Sequence, residues 1–136
     1  MGIFWSTWAA ICCAALIAMS ARAEVVTDLA PFTRDSARPE GLVPEGPIDG
    51  RAPALLKRAL RRFPSVTTLS LYSEGGSTYA ALPKAYDVRD AGQKTTIPAG
   101  GACASACSSV FFAGVERNAG SRSVWGRARS LRRGTA

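Results

Sequence analysis

The apolar residues of this chain follow a helical spacing in one segment and an alternating spacing in the next. Between residues 52 and 63 they fall on one face of a helix, while basic residues occupy the opposite face, as on a solvated surface. Pro53 suits a first helical turn and Pro64 follows the last apolar position, so this segment predicts an amphipathic surface helix. Residues 66–72 are rich in β-branched and aromatic residues and alternate, which predicts a strand.

The pattern continues with further helices and a second strand. Residues 77–91 predict a helix that ends at Gly92, with Pro83 marking either a kink or the true start. Residues 94–97 predict a short strand, and a third helix is expected to open near Ala102. This order of strand, glycine turn, helix, strand and helix predicts an α/β fold.

Composition changes on both sides of this segment. Residues 25–50 hold four of the eight prolines, so we expect an irregular segment over residues 24–42. The proline-rich stretch leaves room for a short strand at most, around Leu42 and Val43 or around Pro47 and Ile48. From residue 115 onward there are six arginines and one acid, so most of the net charge of +7 lies there. We therefore expect an α/β domain over residues 43–117 and a disordered, arginine-rich tail over residues 118–136.

The position of the charge also bears on the partners. Because most of the excess lies outside the predicted domain, we expect no nucleic-acid partner. A basic tail that binds phospholipid or nucleic acid in a salt-sensitive way stays open as an alternative.

The first 23 residues are typical of an export signal. Residues 3–19 are largely apolar, and Ala21 and Ala23 place small side chains at the −3 and −1 positions before Glu24. We therefore expect a periplasmic or secreted protein. The alternative is an uncleaved inner-membrane anchor, and contact with a membrane is expected only in that case.

Cys103 and Cys107 are four residues apart. On a regular helix their side-chain directions match poorly, so a disulfide is feasible where Cys103 precedes the helix. In an oxidising compartment we favour this disulfide over two buried thiols. The chain has no histidine, and two cysteines leave the coordination of a metal incomplete, so we expect neither a metal site nor a cofactor.

Two short motifs carry candidate chemistry. Gly75 and Gly76 follow the first strand and precede a helix, which leaves backbone N–H groups free to bind an anion without an obstructing side chain. Ser105 lies between Ala104 and Ala106, whose small side chains leave its hydroxyl accessible. The purely structural alternative is a glycine turn and a small-residue helix that pack closely against a sheet.

In their order along the chain, these motifs resemble the bacterial periplasmic proteins related to the Clp protease proteolytic subunit (ClpP). The resemblance covers roughly residues 43–117. It implies the ClpP/crotonase fold, a right-handed spiral of ββα units, here incomplete at the C-terminus. It also implies that Ser105 is a nucleophile, that Gly75 and Gly76 form an oxyanion hole, and that a peptide or protein is the substrate. The stretches that carry it are Leu-Ser-Leu-Tyr-Ser-Glu-Gly-Gly (69–76), Thr-Thr-Ile-Pro (95–98), Cys-Ala-Ser-Ala-Cys (103–107) and Phe-Phe-Ala-Gly (111–114).

The same resemblance implies a base that this chain lacks. The related enzymes use a histidine, oriented by a carboxylate, from a segment C-terminal to the nucleophile. Here Lys84 and Lys94 precede Ser105, and Glu116 lies close to it in sequence. None of them occupies the position that the resemblance implies for the base.

A shifted reading frame would account for the missing histidine. In the relatives a glycine-rich segment that ends in Val-His follows, and residues 123–129 stand in its place. The possible codons of Trp-Gly-Arg-Ala-Arg are compatible with the loss of one base, so we hypothesise a truncated product that is out of frame from about Ser121. Sequencing the coding DNA tests this: without a histidine in the shifted frame, the hypothesis is wrong.

The sequence as a whole predicts an exported, ClpP-like protein of the serine-hydrolase type that is catalytically incomplete in this chain. One alternative is an active periplasmic serine peptidase that uses Ser105. The other is a non-catalytic exported binding protein with a basic tail.

Overall fold

A computed structural model describes residue 30, residues 32–34, residues 41–126 and residues 132–134 of the chain. The predicted leader, residues 1–23, lies outside these described residues, as do residues 127–131 of the predicted tail. The helices and strands are, in chain order, β1 (Phe32–Arg34), β2 (Gly41–Pro44), α1 (Ala52–Arg62), β3 (Thr68–Ser70), α2 (Thr78–Asp90), β4 (Lys94–Ile97), β5 (Ala102–Ala104), α3 (Ala106–Ala113), β6 (Arg117–Ala119), β7 (Val124–Gly126) and β8 (Arg132–Arg133).

The larger sheet has the strand order β1-β2-β3-β4-β6. Its strands β2, β3, β4 and β6 run parallel to one another, and β1 pairs antiparallel with β2 at one edge. Leu42 and Leu69 are register partners in the middle of this sheet, and both side chains are buried. Parallel neighbours need crossover connections, and α1, α2 and α3 supply them.

The smaller sheet has the order β5-β7-β8, with β5 and β7 parallel and β8 antiparallel to β7. In chain order, β5 directly follows β4 and β7 directly follows β6. Each of these two strand pairs therefore adds one strand to the larger sheet and one to the smaller sheet. The segment after β3 behaves similarly, because Ser73 forms a parallel bridge with Cys103 of β5. The repeated pattern is a strand in the larger sheet, a strand or bridge beside the smaller sheet, and a helix.

A single hydrophobic cluster joins the larger sheet to all three helices. α1 buries Leu56 and Ala59, while α2 buries Ala80, Ala81 and Val88. The small alanine side chains leave room for α2 to pack closely against α3. This packing matters for the site because Gly76 leads into α2 and Ser105 leads into α3.

Several elements predicted from the sequence are confirmed. α1 covers the predicted amphipathic helix, and β4 coincides with the predicted strand over residues 94–97. α2 begins after Ser77, whose hydroxyl accepts a hydrogen bond from the Ala80 N–H, and it runs through Pro83. Gly92 follows the end of α2 with a positive φ of 62°. No helix among the described residues is long and apolar enough to cross a membrane.

The predicted start of the third helix is wrong. Residues 102–104 form strand β5, and α3 begins only at Ala106. The strand forms because Ala102, Cys103 and Ala104 pair in parallel with β7, a non-local interaction that their small side chains do not signal. Cys103 therefore precedes the helix.

The predicted irregular and disordered segments also contain strands. β1 lies within residues 24–42 and pairs antiparallel with β2, which covers the position around residues 42 and 43 where a short strand is expected. Residues 118–119 of β6 and all of β7 lie within the tail that the arginine-rich composition predicts to be disordered. Both are ordered by pairing with β4 and β5, and Trp125 of β7 packs against Phe111 at a ring distance of 5.9 Å.

Candidate active site

Ser105 forms the turn between a strand and a helix. It lies between the last residue of β5 and the first residue of α3, with φ 52° and ψ −124°, and its side chain is exposed. A residue other than glycine in this region costs about 1–3 kcal/mol, so surrounding contacts must hold it there. The Ser105 N–H donates to the Gly126 carbonyl at 2.8 Å, and its own carbonyl accepts from the Ser108 N–H at 3.0 Å. Such a turn is how nucleophilic serines are presented above a sheet.

A disulfide brackets this serine. It joins Cys103 of β5 to Cys107 of α3, with their Cα atoms 5.2 Å apart. The two residues are 0% and 1% exposed, so the bond belongs to the core. Ser105 is thus the exposed tip of a short loop whose ends are covalently joined.

The backbone of Gly75 packs directly against Ser105. A Cβ atom built on Gly75 would lie 2.9 Å from the Ser105 Cβ and 2.7 Å from the Ala104 carbonyl oxygen. Gly75 also has a φ of 105°, which disfavours any side chain. The structure therefore brings Gly75 and Ser105 together, with no room for a side chain between them.

The two glycine N–H groups have different roles. The Gly75 N–H donates to the buried Ser73 hydroxyl at 3.1 Å, and that hydroxyl donates to the Gly46 carbonyl at 2.7 Å. Gly76 and Ile48 form a parallel β-bridge, in which the Ile48 N–H donates to the Gly75 carbonyl and the Ser77 N–H donates to the Ile48 carbonyl. In this arrangement the N–H of Gly76 points away from Ile48. No described residue accepts a hydrogen bond from the exposed Gly76 N–H.

A second free donor adjoins the serine. Ala106 is the first residue of α3, so its N–H has no acceptor within the helix. Its nitrogen would lie 3.0 Å from a Cβ built on Gly75, so both donors lie beside the same glycine. The Ala106 N–H beside Gly75 is thus a candidate anion donor that the sequence motif of Gly75 and Gly76 does not include.

An open cleft of about 630 Å³ surrounds Ser105. Phe112 forms its apolar wall, and the Phe112 ring packs against Trp125 at 5.8 Å. Ser108 also lines the cleft, but its hydroxyl accepts the Gly126 N–H at 3.1 Å and ties β7 to α3. The described residues that line the cleft are Thr78, Ser105, Ala106, Ser108, Ser109, Phe112 and Gly126. None of these described side chains titrates, so none can serve as a general base.

The three candidate bases lie elsewhere. Lys84 lines a separate cavity of about 10 Å³ together with Ser73 and Cys107, and no described residue lines both cavities. Burial lowers the pKa of its amine to about 8. Lys94 forms an ion pair of 2.8 Å with Glu116, so these two groups neutralise each other outside the cleft. Nor does the described part of the chain hold a group of three or more metal-ligating side chains.

Some residues of the site carry little sequence signal. Thr78, Phe112 and Gly126 reach the cleft through tertiary packing, which a local pattern does not encode. Ser73 has a local signal, because a serine two residues before a glycine favours a hydroxyl-to-backbone turn. From that signal, Ser73 is expected to stabilise the glycine turn and to accept the hydrogen bond of the Gly75 N–H.

No protein-family model and no curated protein sequence matches this chain. Among solved structures, the chain is similar to a mutant of the 1510-N membrane-bound stomatin-specific protease. The alignment has a TM-score of 0.53 and 13% sequence identity, and it covers 62% of this chain. The chain spans 44% of the length of that protease chain. At this identity the similarity shows a common α/β fold.

Proposed function

We propose that this chain is a ClpP-like protein of the serine-hydrolase type, with a nucleophile and an oxyanion site but no general base among the described residues of its cleft. The observation that carries the proposal is the contact between the Gly75 backbone and Ser105. An exposed serine in a strand-to-helix turn lies there beside the Ala106 N–H, which has no acceptor within its helix. The Gly76 N–H, which no described residue accepts, follows one position after Gly75.

The topology supports the ClpP/crotonase part of the proposal. A spiral of ββα units requires that each turn of the chain add one strand to each of two sheets before a helix. β4, β5 and α3 follow this order, and β6 and β7 begin the next turn. The protease to which the chain is similar supports a peptide or protein as the class of ligand.

The site has the groups for acyl transfer to a serine, but its described residues include no base that would take the proton of the hydroxyl. A serine hydroxyl that attacks a carbonyl creates an oxyanion, and each well-placed N–H donor stabilises the transition state by about 2.7–4 kcal/mol. The hydroxyl proton must also leave, and the described residues of the cleft offer no acceptor for it. We expect slow acylation by activated electrophiles and no turnover of peptides.

Fluorophosphonate labelling of the purified full chain tests this proposal. We expect slow labelling that rises at least about tenfold when imidazole is added as an external base. The Ser105→Ala variant loses the labelling, while the Ser109→Ala variant keeps it, since Ser109 lines the same cleft outside the turn. Absence of Ser105-dependent labelling in imidazole overturns the hydrolase-type site. Fast labelling without imidazole would instead show the active peptidase.

Export is part of the same proposal. The buried disulfide supports it, because such bonds persist in oxidising compartments. The mass of the protein recovered from a periplasmic fraction should correspond to a chain that begins at Glu24. A full-length mass would show an uncleaved leader.

A further inference from the structure

The strand-to-helix turn at Ser105 competes with a local alternative. Residues 102–109 consist of alanine, cysteine and serine, and alanine is the strongest helix former. The sequence pattern favours a helix that opens near Ala102, whereas the structure has a strand there and begins α3 at Ala106. Pairing of β5 with β7 disfavours the longer helix, and a covalent bond within residues 102–109 can act in addition to it.

The disulfide has the geometry to do this. Residues four apart on a helix have Cβ atoms about 5–6 Å apart. A disulfide needs Cβ atoms about 3.5–4.5 Å apart. Cys103 in β5 and Cys107 in α3 satisfy the bond because the chain turns sharply at Ser105 between them. The bond is compatible with the turn and incompatible with a regular helix through residues 103–107.

Two further observations indicate that the disulfide is permanent and acts locally, rather than as a redox switch or as a bond that stabilises the whole fold. Both cysteines are buried in the core, so a reductant has no access to the sulfur atoms of the folded chain. The bond also closes a loop of very few residues, and short loops gain least from restriction of the unfolded chain. Its effect is therefore local, at the one exposed residue that it encloses.

We propose that the Cys103–Cys107 disulfide is a positioning element: it excludes the helical conformation of residues 102–109 and thereby keeps the Ser105 hydroxyl beside Gly75 and the free Ala106 N–H. Its effect on reactivity rests on the proposed function, whereas its effect on backbone conformation does not.

A comparison of Ser105→Gly with Ser105→Ala tests the backbone effect in the full chain. With the disulfide intact, the glycine variant should have an unfolding equilibrium constant at least about fivefold lower than the alanine variant, because glycine tolerates the positive φ. In the Cys103→Ala/Cys107→Ala background the order should reverse, because alanine is the better residue once position 105 is helical. A merely structural bond would lower stability in both variants without this reversal.

Labelling supplies the second measurement. The imidazole-supported labelling of Ser105 should fall at least about tenfold in the Cys103→Ala/Cys107→Ala protein, since a misplaced nucleophile loses its orientation. Wild-type protein that is unfolded and refolded in the presence of a reductant keeps both side chains, leaves no cavity, and should show the same fall.

The remaining outcomes are also decisive. An unchanged preference for glycine over alanine in the cysteine-free background overturns the proposal, and so does loss of folding in both the cysteine-free and the reduced protein. If wild-type Ser105 is never labelled, the proposed function fails, while the glycine and alanine comparison still decides the positioning role.

Discussion

Two cavities lie on opposite faces of α3, and they differ in almost every respect. The Ser105 cleft is open, about 630 Å³ in volume, and its described lining carries no titratable side chain. The Lys84 cavity is about 10 Å³ in volume and holds an amine whose pKa burial lowers to about 8. The chain thus has an exposed serine in one cavity and an amine of lowered pKa in the other, and no described residue lines both.

The two cavities differ in the kind of feature that each contains. The glycine turn and the serine turn depend on backbone conformation, and both have the positive φ values and the close contact that they require. A proton acceptor, in contrast, requires a particular side chain. Of the candidate side chains, Lys84 lines another cavity, and Lys94 and Glu116 form an ion pair. The two turns can therefore be present in a cleft whose described residues include no proton acceptor.

The largest effect is expected from a side chain placed between Gly75 and Ser105. The Gly75→Ala variant would combine a strained φ with a Cβ 2.7 Å from the Ala104 carbonyl oxygen. We expect a loss of at least about 3 kcal/mol in the free energy of unfolding, measured by urea denaturation. The Gly50→Ala variant is the matched control, because nothing lies within 4 Å of its Cβ. Equal effects in both variants would contradict the close packing of the serine cleft.

The next effect belongs to the closed cavity. Burial holds the folded-state pKa of Lys84 near 8, below its ordinary value of 10.5. Below pH 8 both states carry the proton, so the folded state bears the full cost of the buried charge. Between pH 8 and 10.5 only the unfolded chain keeps the proton, so stability rises with pH through this window.

Replacement of the amine should remove that dependence. The Lys84→Met variant should be more stable than wild type by up to about 3 kcal/mol at pH 7, and the difference should shrink as the pH approaches 10.5. Urea denaturation at several pH values measures it. A Lys94→Met variant controls for the loss of a lysine, since Lys94 and its ion-pair partner Glu116 are both exposed. A difference that does not change between pH 7 and 10.5 would show that the Lys84 amine is not desolvated.

A smaller effect is expected at the residue that joins the two regions. Ser73 lines the Lys84 cavity, and its hydroxyl accepts the N–H of Gly75 beside Ser105. The Ser73→Ala variant leaves that buried N–H unpaired, so we expect a loss of about 1–3 kcal/mol in stability and slower labelling of Ser105. The Ser70→Ala variant on β3 should change stability by less than about 0.5 kcal/mol. Unchanged stability and labelling in Ser73→Ala would show that the glycine turn needs no support from the serine.

The sequence predicts the parts of this molecule that local physics determines. The amphipathic spacing of α1, the serine cap of α2 and the strand over residues 94–97 are encoded within their own segments. The glycine pair and Ser105 are recognisable as motifs because each needs a particular backbone. Their contact is expected only through the resemblance to a known family, since nothing in the two segments specifies it.

The errors arise where pairing overrides composition. Residues 102–104 are small and suit a helix, yet β5 forms because β7 lies beside it. β6 lies in an arginine-rich segment that predicts disorder, but its backbone pairs with β4. The free donor at Ala106 follows from the position where α3 begins, so an error in that boundary hides one half of the candidate oxyanion site.

The pH dependence of Ser105 labelling by fluorophosphonate, without added imidazole, tests the separation of nucleophile and amine most directly. The structure predicts a labelling rate that rises with hydroxide concentration, has no inflection near pH 8, and is unchanged in Lys84→Met. An inflection near pH 8 that disappears in Lys84→Met would show that the buried amine serves as the base, and would contradict the separation of the two cavities.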